Sequence, residues 1–406
     1  MRKGTTPVTL LALVLSACVA AETAEEDVKT ARELRSHLED EFIPFFLASA
    51  PDEVHGGYNV GMTREGRPRL NRPRDLVGQA RHLYAFSIGV RRLKGDLGSR
   101  CREAARLGAK FLTEKMHDDG NGGFYERVSP KGDVADGSKR TYGQAFAIYA
   151  LSEYARATGN EQARALAVRT HRIVRQKMWD TKFGGLFRRA ATDWKVTDDK
   201  KKIDDHLHFI EAVFSLHELT GEARYREEIG QLCDFLLGTF FSGPRLAERE
   251  LTHRDLSLPE RERYHYDQAG HSMESAWFLM QAARLLKRDD LKRSALIIVD
   301  RVLDESFDRE TGGIVHIGGD AFREWWVQCE AVAALALAYK ETGSDRHRNA
   351  FRSAVSFTMG SYPNREVGGW YSRVSRTGKG RVGTRAGPYH VTQMLDFVSN
   401  LLETRR

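Results

Sequence analysis

Asn121-Gly122-Gly123-Phe124-Tyr125 is a chain reversal written in five residues. Two glycines supply backbone angles that other residues avoid, and the aromatic pair behind them has the character of a short strand. The same pattern recurs as His55-Gly56-Gly57-Tyr58, Phe183-Gly184-Gly185-Leu186-Phe187, Thr311-Gly312-Gly313-Ile314 and Val367-Gly368-Gly369-Trp370-Tyr371. The first glycines of these pairs, at 56, 122, 184, 312 and 368, are 66, 62, 128 and 56 residues apart. The third step is twice the others, which implies a degenerate copy near Phe241 to Gly243 and six units of roughly sixty residues each.

Working outward from the glycines, the hydrophobic period predicts two helices per unit. They run over 30–48, 75–94, 99–116, 140–158, 161–178, 204–220, 222–240, 268–286, 289–306, 323–341, 344–359 and 388–403. Thr158-Gly159, Thr220-Gly221 and Thr342-Gly343 mark turns between paired helices. The helix after each glycine loop is the more apolar member, as in Ala145 to Leu151 and Ala331 to Tyr339, whereas Glu161 to Lys177 carries Arg and Glu on an exposed face. Apolar helices inside a ring of amphipathic ones satisfy both patterns. The predicted fold is therefore all-α, a closed (α/α)6 barrel of twelve helices with short β-hairpins in the loops at one end. An open solenoid is the alternative arrangement of the same units.

The first residues read differently. Arg2 and Lys3, an apolar run from Val8 to Leu15, and Leu15-Ser16-Ala17-Cys18 have the form of a bacterial lipoprotein signal. The reading is a signal peptide over 1–17, lipidation at Cys18, a tether over 18–29 and one barrel domain over 30–406. An ordinary secretory cleavage near Ala17, Ala20 and Ala21 is the alternative. Both place the protein outside the cytoplasm, in the cell envelope facing the periplasm or the cell surface. No Pro/Ser/Gly linker interrupts the domain, and 41% hydrophobic residues with 6 Trp, 13 Tyr and 20 Phe are ample for a large core. Cys101, Cys233 and Cys329 lie in helical patterns and imply no disulfide framework. The net charge of +7 is spread along helix faces among nearly as many acids, so no nucleic-acid partner is expected, and nothing calls for a protein partner.

In a closed barrel the starts of the inner helices gather at the glycine-loop end, and polar residues recur there in register. Arg81 lies early in the first inner helix, Tyr142 and Gln144 begin the second, and Asp204 to His208 with Glu211 begin the third. His271 and Glu274 begin the fourth, with Trp277 one turn on; Trp325, Trp326 and Glu330 begin the fifth; Tyr389 and His390 begin the sixth. Core packing gives polar groups no reason to keep register. His206 points away from His208 and reads as structural, and Tyr389 reads as packing. His55 and His316, in glycine loops, are open to either role.

These stretches carry a resemblance. Gln79-Ala80-Arg81-His82-Leu83-Tyr84, Tyr142 to Tyr154, His206-Leu207-His208-Phe209-Ile210-Glu211, Gly270-His271-Ser272-Met273-Glu274-Ser275-Ala276-Trp277, Trp325 to Glu330 and Pro388-Tyr389-His390 resemble the N-acylglucosamine 2-epimerase superfamily. The chain is most similar to its cellobiose/mannobiose 2-epimerase branch, over about residues 30 to 403. The resemblance implies an (α/α)6 barrel that interconverts glucose and mannose at the reducing end of β-linked disaccharides without an added cofactor. It implies a catalytic pair at His271 and His390, with Arg81, His208 and Glu274 in the site. It also implies sugar-stacking aromatics at Trp277 and at Trp325 or Trp326. Two departures stand out: Asp204 replaces an Asn of the family pattern, and Arg385 replaces a Trp shortly before Pro388-Tyr389-His390. Both bear on which sugar is preferred.

The residue types suit such chemistry. Epimerisation at C2 needs the open-chain aldehyde, removal of the acidified C2 proton and its return to the opposite face. Two imidazoles titrating near neutrality can do this. A fixed cation, Arg81, can hold the enediolate oxygens with help from His208. Glu274, one turn from His271, can orient that imidazole or hold a sugar hydroxyl. Tyr142, Asp204, Glu330 and Arg385 complete the candidate sugar contacts. No His and carboxylate spacing reads as a metal site. The competing readings are an aldose–ketose isomerase, an N-acylglucosamine 2-epimerase-like enzyme on a monosaccharide, a glycoside hydrolase using Glu211, Glu274 or Asp204, and a non-catalytic glycan-binding lipoprotein.

Overall fold

Each unit gives one helix to an outer ring and one to an inner ring. The structure, a computed structural model, describes residues 23–63, 65–259, 268–316 and 321–404. Twelve helices lie among the described residues. They are α1 (residues 23–49, with a π turn at His37–Phe42), α2 (Leu76–Arg92), α3 (Gly95–Phe111, prolonged by the π turn Leu112–Met116) and α4 (Thr141–Thr158). Then come α5 (Glu161–Met178), α6 (Ile203–Thr220), α7 (Ala223–Phe240) and α8 (Ala269–Leu286). The last four are α9 (Asp289–Glu305), α10 (Trp325–Thr342), α11 (Asp345–Ser361) and α12 (Pro388–Glu403). The even-numbered helices pack side by side in order and α12 returns onto α2, so the ring is closed and the open solenoid does not form. Each odd-numbered helix lies outside its even-numbered partner, with α1 against α12.

The partition follows from composition. In α10 every residue from Ala331 to Ala338 is buried, so the helix is apolar all round and suits only the inner ring. In α5 the buried set Ala163, Leu166, Ala167, Thr170, His171, Val174 and Met178 forms a single stripe. Gly159, Gly221 and Gly343 close α4, α6 and α10 in the left-handed conformation, each N–H reaching a carbonyl four residues back. Cys101, Cys233 and Cys329 are buried and free. Among the described residues no helix is long and apolar enough to cross a membrane.

The glycine loops share one construction. Asp118 N–H donates to the Gly123 carbonyl and the Asp118 carbonyl accepts from Gly122 N–H, and Asp52, Asp180, Asp308 and Asn364 bond their own glycine pairs in the same way. The Asp carboxylate then pairs with a cation set just before the next inner helix: Asp118 with Lys139 at 2.8 Å, Asp180 with Lys201 at 3.1 Å, and Asp52 with Arg74. Lys139 and Lys201 are fully buried, and removing one partner of such a pair costs about 3–5 kcal/mol. Inner-helix amides clamp the following residue. Gln79 brackets Tyr58, Gln144 brackets Phe124 and Gln328 brackets Ile314, each through N–H and C=O, while His206 Nε2 accepts from Leu186 N at 2.9 Å. His206 is structural, as its direction in the sequence implied. Gly123 has φ +69° and no room for a Cβ, which would lie 2.7 Å from the Gln144 amide oxygen.

Short strands tie each unit to the next at the same end. Arg74–Asp75 pairs with Arg127–Val128, Lys139–Arg140 with Arg189–Ala190, Lys201–Lys202 with Leu251–Thr252, and Phe322–Glu324 with Tyr371–Ser375. The degenerate copy expected near Phe241 to Gly243 is a hairpin, Phe241–Ser242 against Ala247–Glu248, with Gly243 at φ +70°. The tether expected over 18–29 is corrected at its C-terminal end. Residues 23–29 are the first turns of α1, and Asp27, 5% exposed, accepts from Tyr339 OH and Lys340 Nζ, both at 3.0 Å. A segment anchored by a buried carboxylate on an inner helix cannot act as a free leash. The expected signal peptide and Cys18 lie outside the described residues.

Candidate active site

The first turns of the inner helices converge at the loop end. Arg81, Tyr142, Asp204, His271, Trp325 and Trp326 are half-buried, whereas His208, Glu211, Glu274, Glu330, Tyr389 and His390 lie deeper. The structure thus brings the register-related residues of all six inner helices into one constellation.

The two candidate proton-transfer groups both pack against the Trp326 ring, whose centroid is 5.0 Å from that of His271 and 5.8 Å from that of His390. The closeness at His271 depends on Gly270, because a Cβ there would lie 2.5 Å from the Trp326 ring. His316 packs edge-on against the same indole at 4.9 Å, and its backbone carbonyl accepts from Ala269 N at the start of α8. His55 is held within its own loop by Asp52 at 3.3 Å.

Each imidazole has its own carboxylate, and the two pairs are tuned apart. His271 Nδ1 is hydrogen-bonded to Glu250, a residue 2% exposed. Burial works against a charged imidazole, but the Glu250 carboxylate outweighs it and holds His271 above the ordinary histidine value. Glu250 itself, despite burial, is drawn down to about 2 by His271. His390 Nδ1 lies 2.6 Å from Glu330 Oε1, and Trp277 Nε1 donates to Glu330 Oε2 at 2.6 Å. Burial first, then the nearby Arg81 and His271 charges, push His390 well below the ordinary value, and burial lifts Glu330 to about 8. One imidazole is set up as a cation and its opposite as a neutral base.

The remaining polar groups lie beside them. Arg81 Nη2 donates to Tyr142 OH at 2.8 Å, and its guanidinium lies 4.5 Å from the Phe146 ring centroid and 5.1 Å from that of Tyr389. Those flat faces fix the plane of the guanidinium fork. His208 packs edge-on to Tyr142 at 4.9 Å, with Nδ1 3.3 Å from Glu211 Oε2 and Nε2 3.9 Å from Glu274 Oε1. Burial and then Arg81 depress His208 well below the usual range, so it is neutral, its two ring nitrogens facing Glu211 and Glu274. Asp204 at the mouth is paired with Lys202 at 2.5 Å. The backbone of Arg385 ends a strand over Arg381–Arg385, and its side chain lies outside the described residues.

Three expectations change. Trp277, read as a sugar-stacking platform, is 3% exposed beneath the site, its ring 4.3 Å from Phe278 and its N–H committed to Glu330. Its role is to fix the partner of His390. Glu274, read as the possible orienting group of His271, faces His208 and the Glu330–His390 pair instead; Glu250 orients His271. Spacing along the chain showed no metal-type cluster, yet the fold gathers Glu274, Glu330 and His390, and separately Glu248, Glu250 and His271, with ligand atoms within 4.8 Å of one another. In each triplet the imidazole Nδ1 already shares a proton with a carboxylate. Tyr389 packs, as expected, but its hydroxyl also donates to Glu211 at 2.5–2.6 Å.

The model of the family described as N-acylglucosamine 2-epimerase (GlcNAc 2-epimerase) matches residues 56–394. The chain belongs to this family. Among relatives, the cellobiose 2-epimerase of Bacteroides fragilis is 24% identical over 393 residues, covering 89% of this chain and 97% of that protein. The cellobiose 2-epimerase of Ruminococcus albus is 29% identical over 397 residues, covering 89% and 96%. The structure of cellobiose 2-epimerase from Spirochaeta thermophila superposes with a TM-score of 0.84 at 26% identity, covering 93% of this chain and 98% of that one. The family match takes in every inner helix from α2 to the start of α12 and with them each candidate residue of the constellation.

Within this constellation, the sequence reading missed Glu250 and Glu248. Glu250 lies 21 residues before His271, on the segment between the degenerate hairpin and the strand Leu251–Thr252. The available signal was the alternation Glu248-Arg249-Glu250 in the one unit without a glycine pair. Glu248 is fully buried, accepts from Ser272 Oγ at 2.7 Å, and burial followed by the Glu250 charge raises it well above the carboxylate range.

Proposed function

We propose that this protein is a 2-epimerase that interconverts glucose and mannose at the reducing end of a β-linked disaccharide or short oligosaccharide. The observation that carries the reading is the pair His271 and His390, packed against one indole and tuned to opposite protonation states. Relatives named cellobiose 2-epimerase that align over 89% of the chain support the choice of a disaccharide.

The chemistry follows from the geometry. With the open-chain aldose over Trp326, neutral His390 takes the C2 proton at Nε2 while its Nδ1–H rests on Glu330. The C2 electron pair moves into the carbonyl and gives a cis-enediolate, whose oxygens Arg81 holds by hydrogen bonds. Cationic His271 returns a proton to the opposite face of C2, which inverts the centre and leaves the Glu250–His271 pair one proton poorer. In the reverse direction the two imidazoles exchange roles.

An aldose–ketose isomerase would use the same abstraction and return the proton to C1. Incubation with glucose, mannose, cellobiose and mannobiose in D₂O separates the two. The expected product is the C2 epimer of a disaccharide carrying deuterium at C2. A ketose as the main early product overturns the epimerase reading.

We also propose export and lipid anchoring at Cys18, supported by Leu15-Ser16-Ala17-Cys18 behind a basic, then apolar, leader. Cys18→Ala is expected to abolish metabolic labelling with a fatty acid and to move the protein from the membrane to the soluble fraction. Labelling that survives the substitution rules the anchor out.

A further inference from the structure

The far end of the barrel holds a cavity that the reaction as written does not use. Its volume is 350 Å³, and its lining comes from the C-terminal halves of inner helices, including Tyr149, Ser215, Gln281 and Asn400, together with Glu211 and Gln393 at its inner end. Glu211 therefore has two sides. Toward the cavity it accepts from Gln393 Nε2, and toward the site it accepts from Tyr389 OH and lies 3.3 Å from His208 Nδ1. Beyond His208, Nε2 faces Glu274 Oε1 at 3.9 Å, a gap that one bridging water or a small rotation spans. Glu274 has both carboxylate oxygens buried without a hydrogen-bond partner, and one of them lies within 4.8 Å of a Glu330 oxygen and of a His390 ring nitrogen. Buried polar atoms without partners are uncommon and call for an explanation.

We propose that Glu211, His208 and Glu274 form a rear proton path connecting the Glu330–His390 pair to solvent in the far cavity, so that the base is reset behind the bound sugar. The inference rests on the epimerase reading above. After one turnover the Glu330–His390 pair carries the substrate's C2 proton in surplus, and His271 is one proton short. His271 faces the mouth and recovers its proton from bulk water there. The surplus proton on the other flank passes to Glu274, which gives its own to His208 Nε2. His208 releases the Nδ1 proton to Glu211, and Glu211 releases one to cavity water. Each group takes one proton and gives one, so the path balances. Glu211 suits the exit: burial first, and the Glu330 charge, bring its carboxyl up to about 8, where both forms are populated near neutral pH.

The path predicts a separation between first and later turnovers. Wild-type enzyme mixed with a β-1,4-linked disaccharide deuterated at C2 of the reducing sugar is expected to lose deuterium at a steady rate. Glu211→Gln keeps the size and the Tyr389 contact but cannot carry a proton. It is expected to release one equivalent of deuterium per site in a burst and then to slow by at least about tenfold relative to that burst. Gln281→Trp, which fills the cavity from α8 rather than from the helix that carries Glu211, is expected to show the same burst and slow phase, with near-ultraviolet circular dichroism reporting that both variants are folded. Equal slowing of first and later turnovers, or no slowing in either variant, overturns the rear path and leaves the epimerase reading intact. A wild-type protein that removes no deuterium from any sugar overturns the epimerase reading itself, and the path with it.

Discussion

His390→Ala is expected to fold as the wild type does and to lose about 10³-fold in kcat for epimerisation, with KM for the disaccharide within a few-fold of wild type. The size of the effect follows from position. His390 is the neutral imidazole, 6% exposed, and the other nitrogenous groups at that flank cannot replace it. Arg81 is a permanent cation, and His208 is turned between Glu211 and Glu274. The split between kcat and KM separates proton transfer from binding, since the sugar-facing Trp326 and Arg81 are untouched. Folding is preserved because the substitution removes one ring while Trp277 still donates to Glu330. Measured turnover within tenfold of wild type would falsify the assignment of His390 as base.

The fold was legible because its signals are local and repeated. Gly-Gly reversals need left-handed backbone, and the apolar helix after each loop has no polar face to expose, so both could be read from short windows. Even the degenerate unit could be placed, since the sixty-residue period located Phe241 to Gly243 before any pairing was known. The first turns of α1 were not legible. Ala21 to Asp27 is small and acidic, the composition of a tether, and only the inner-ring groups Tyr339 and Lys340, more than three hundred residues away, make Asp27 a helix anchor.

The site divides in the same way. Residues on inner helices, such as Arg81, His208, His271 and His390, inherit their register from the helix and were found with it. Orientation is a tertiary property and was not legible in the same way. Trp277 is three residues from Glu274, which places both on one stripe, but the stripe descends into the barrel and carries the indole beneath the sugar level. Glu250 belongs to an irregular connection whose direction no period encodes, so His271 was matched with the nearest acid along its own helix. The outcome matters chemically, because a carboxylate facing His271 from the loop leaves Glu274 available to the opposite flank.

Glu250→Gln provides the other large effect, and its sign can be worked out. Epimerisation in either direction requires one proton to be shared between the two imidazoles, with His271 cationic for one direction and His390 for the other. Above the higher apparent pKa of that system both imidazoles are neutral and there is no acid. In the wild type this alkaline limb is set by His271, which Glu250 holds above the ordinary imidazole value against the opposing effect of burial. Gln keeps the shape and an acceptor oxygen but removes the charge, leaving only the Asp204 carboxylate to oppose burial, so the folded pKa of His271 falls. The alkaline limb of kcat/KM then moves to lower pH. The acid limb behaves differently. It reports conversion of the Glu330–His390 pair to its base form, with Nε2 free and Nδ1–H on a Glu330 carboxylate, and Glu330 sits at about 8. As the alkaline limb descends toward the acid limb, the fraction of enzyme in the working protonation state shrinks at every pH. The expected result is a narrower, lower bell with its maximum at more acidic pH and a loss of about 10²-fold at pH 8. Glu250→Asp, which retains the charge at a longer reach, is expected to keep the wild-type limb while losing part of the rate. A Glu250→Gln profile that falls uniformly with both limbs in place would mean that Glu250 only orients the ring and does not set its charge.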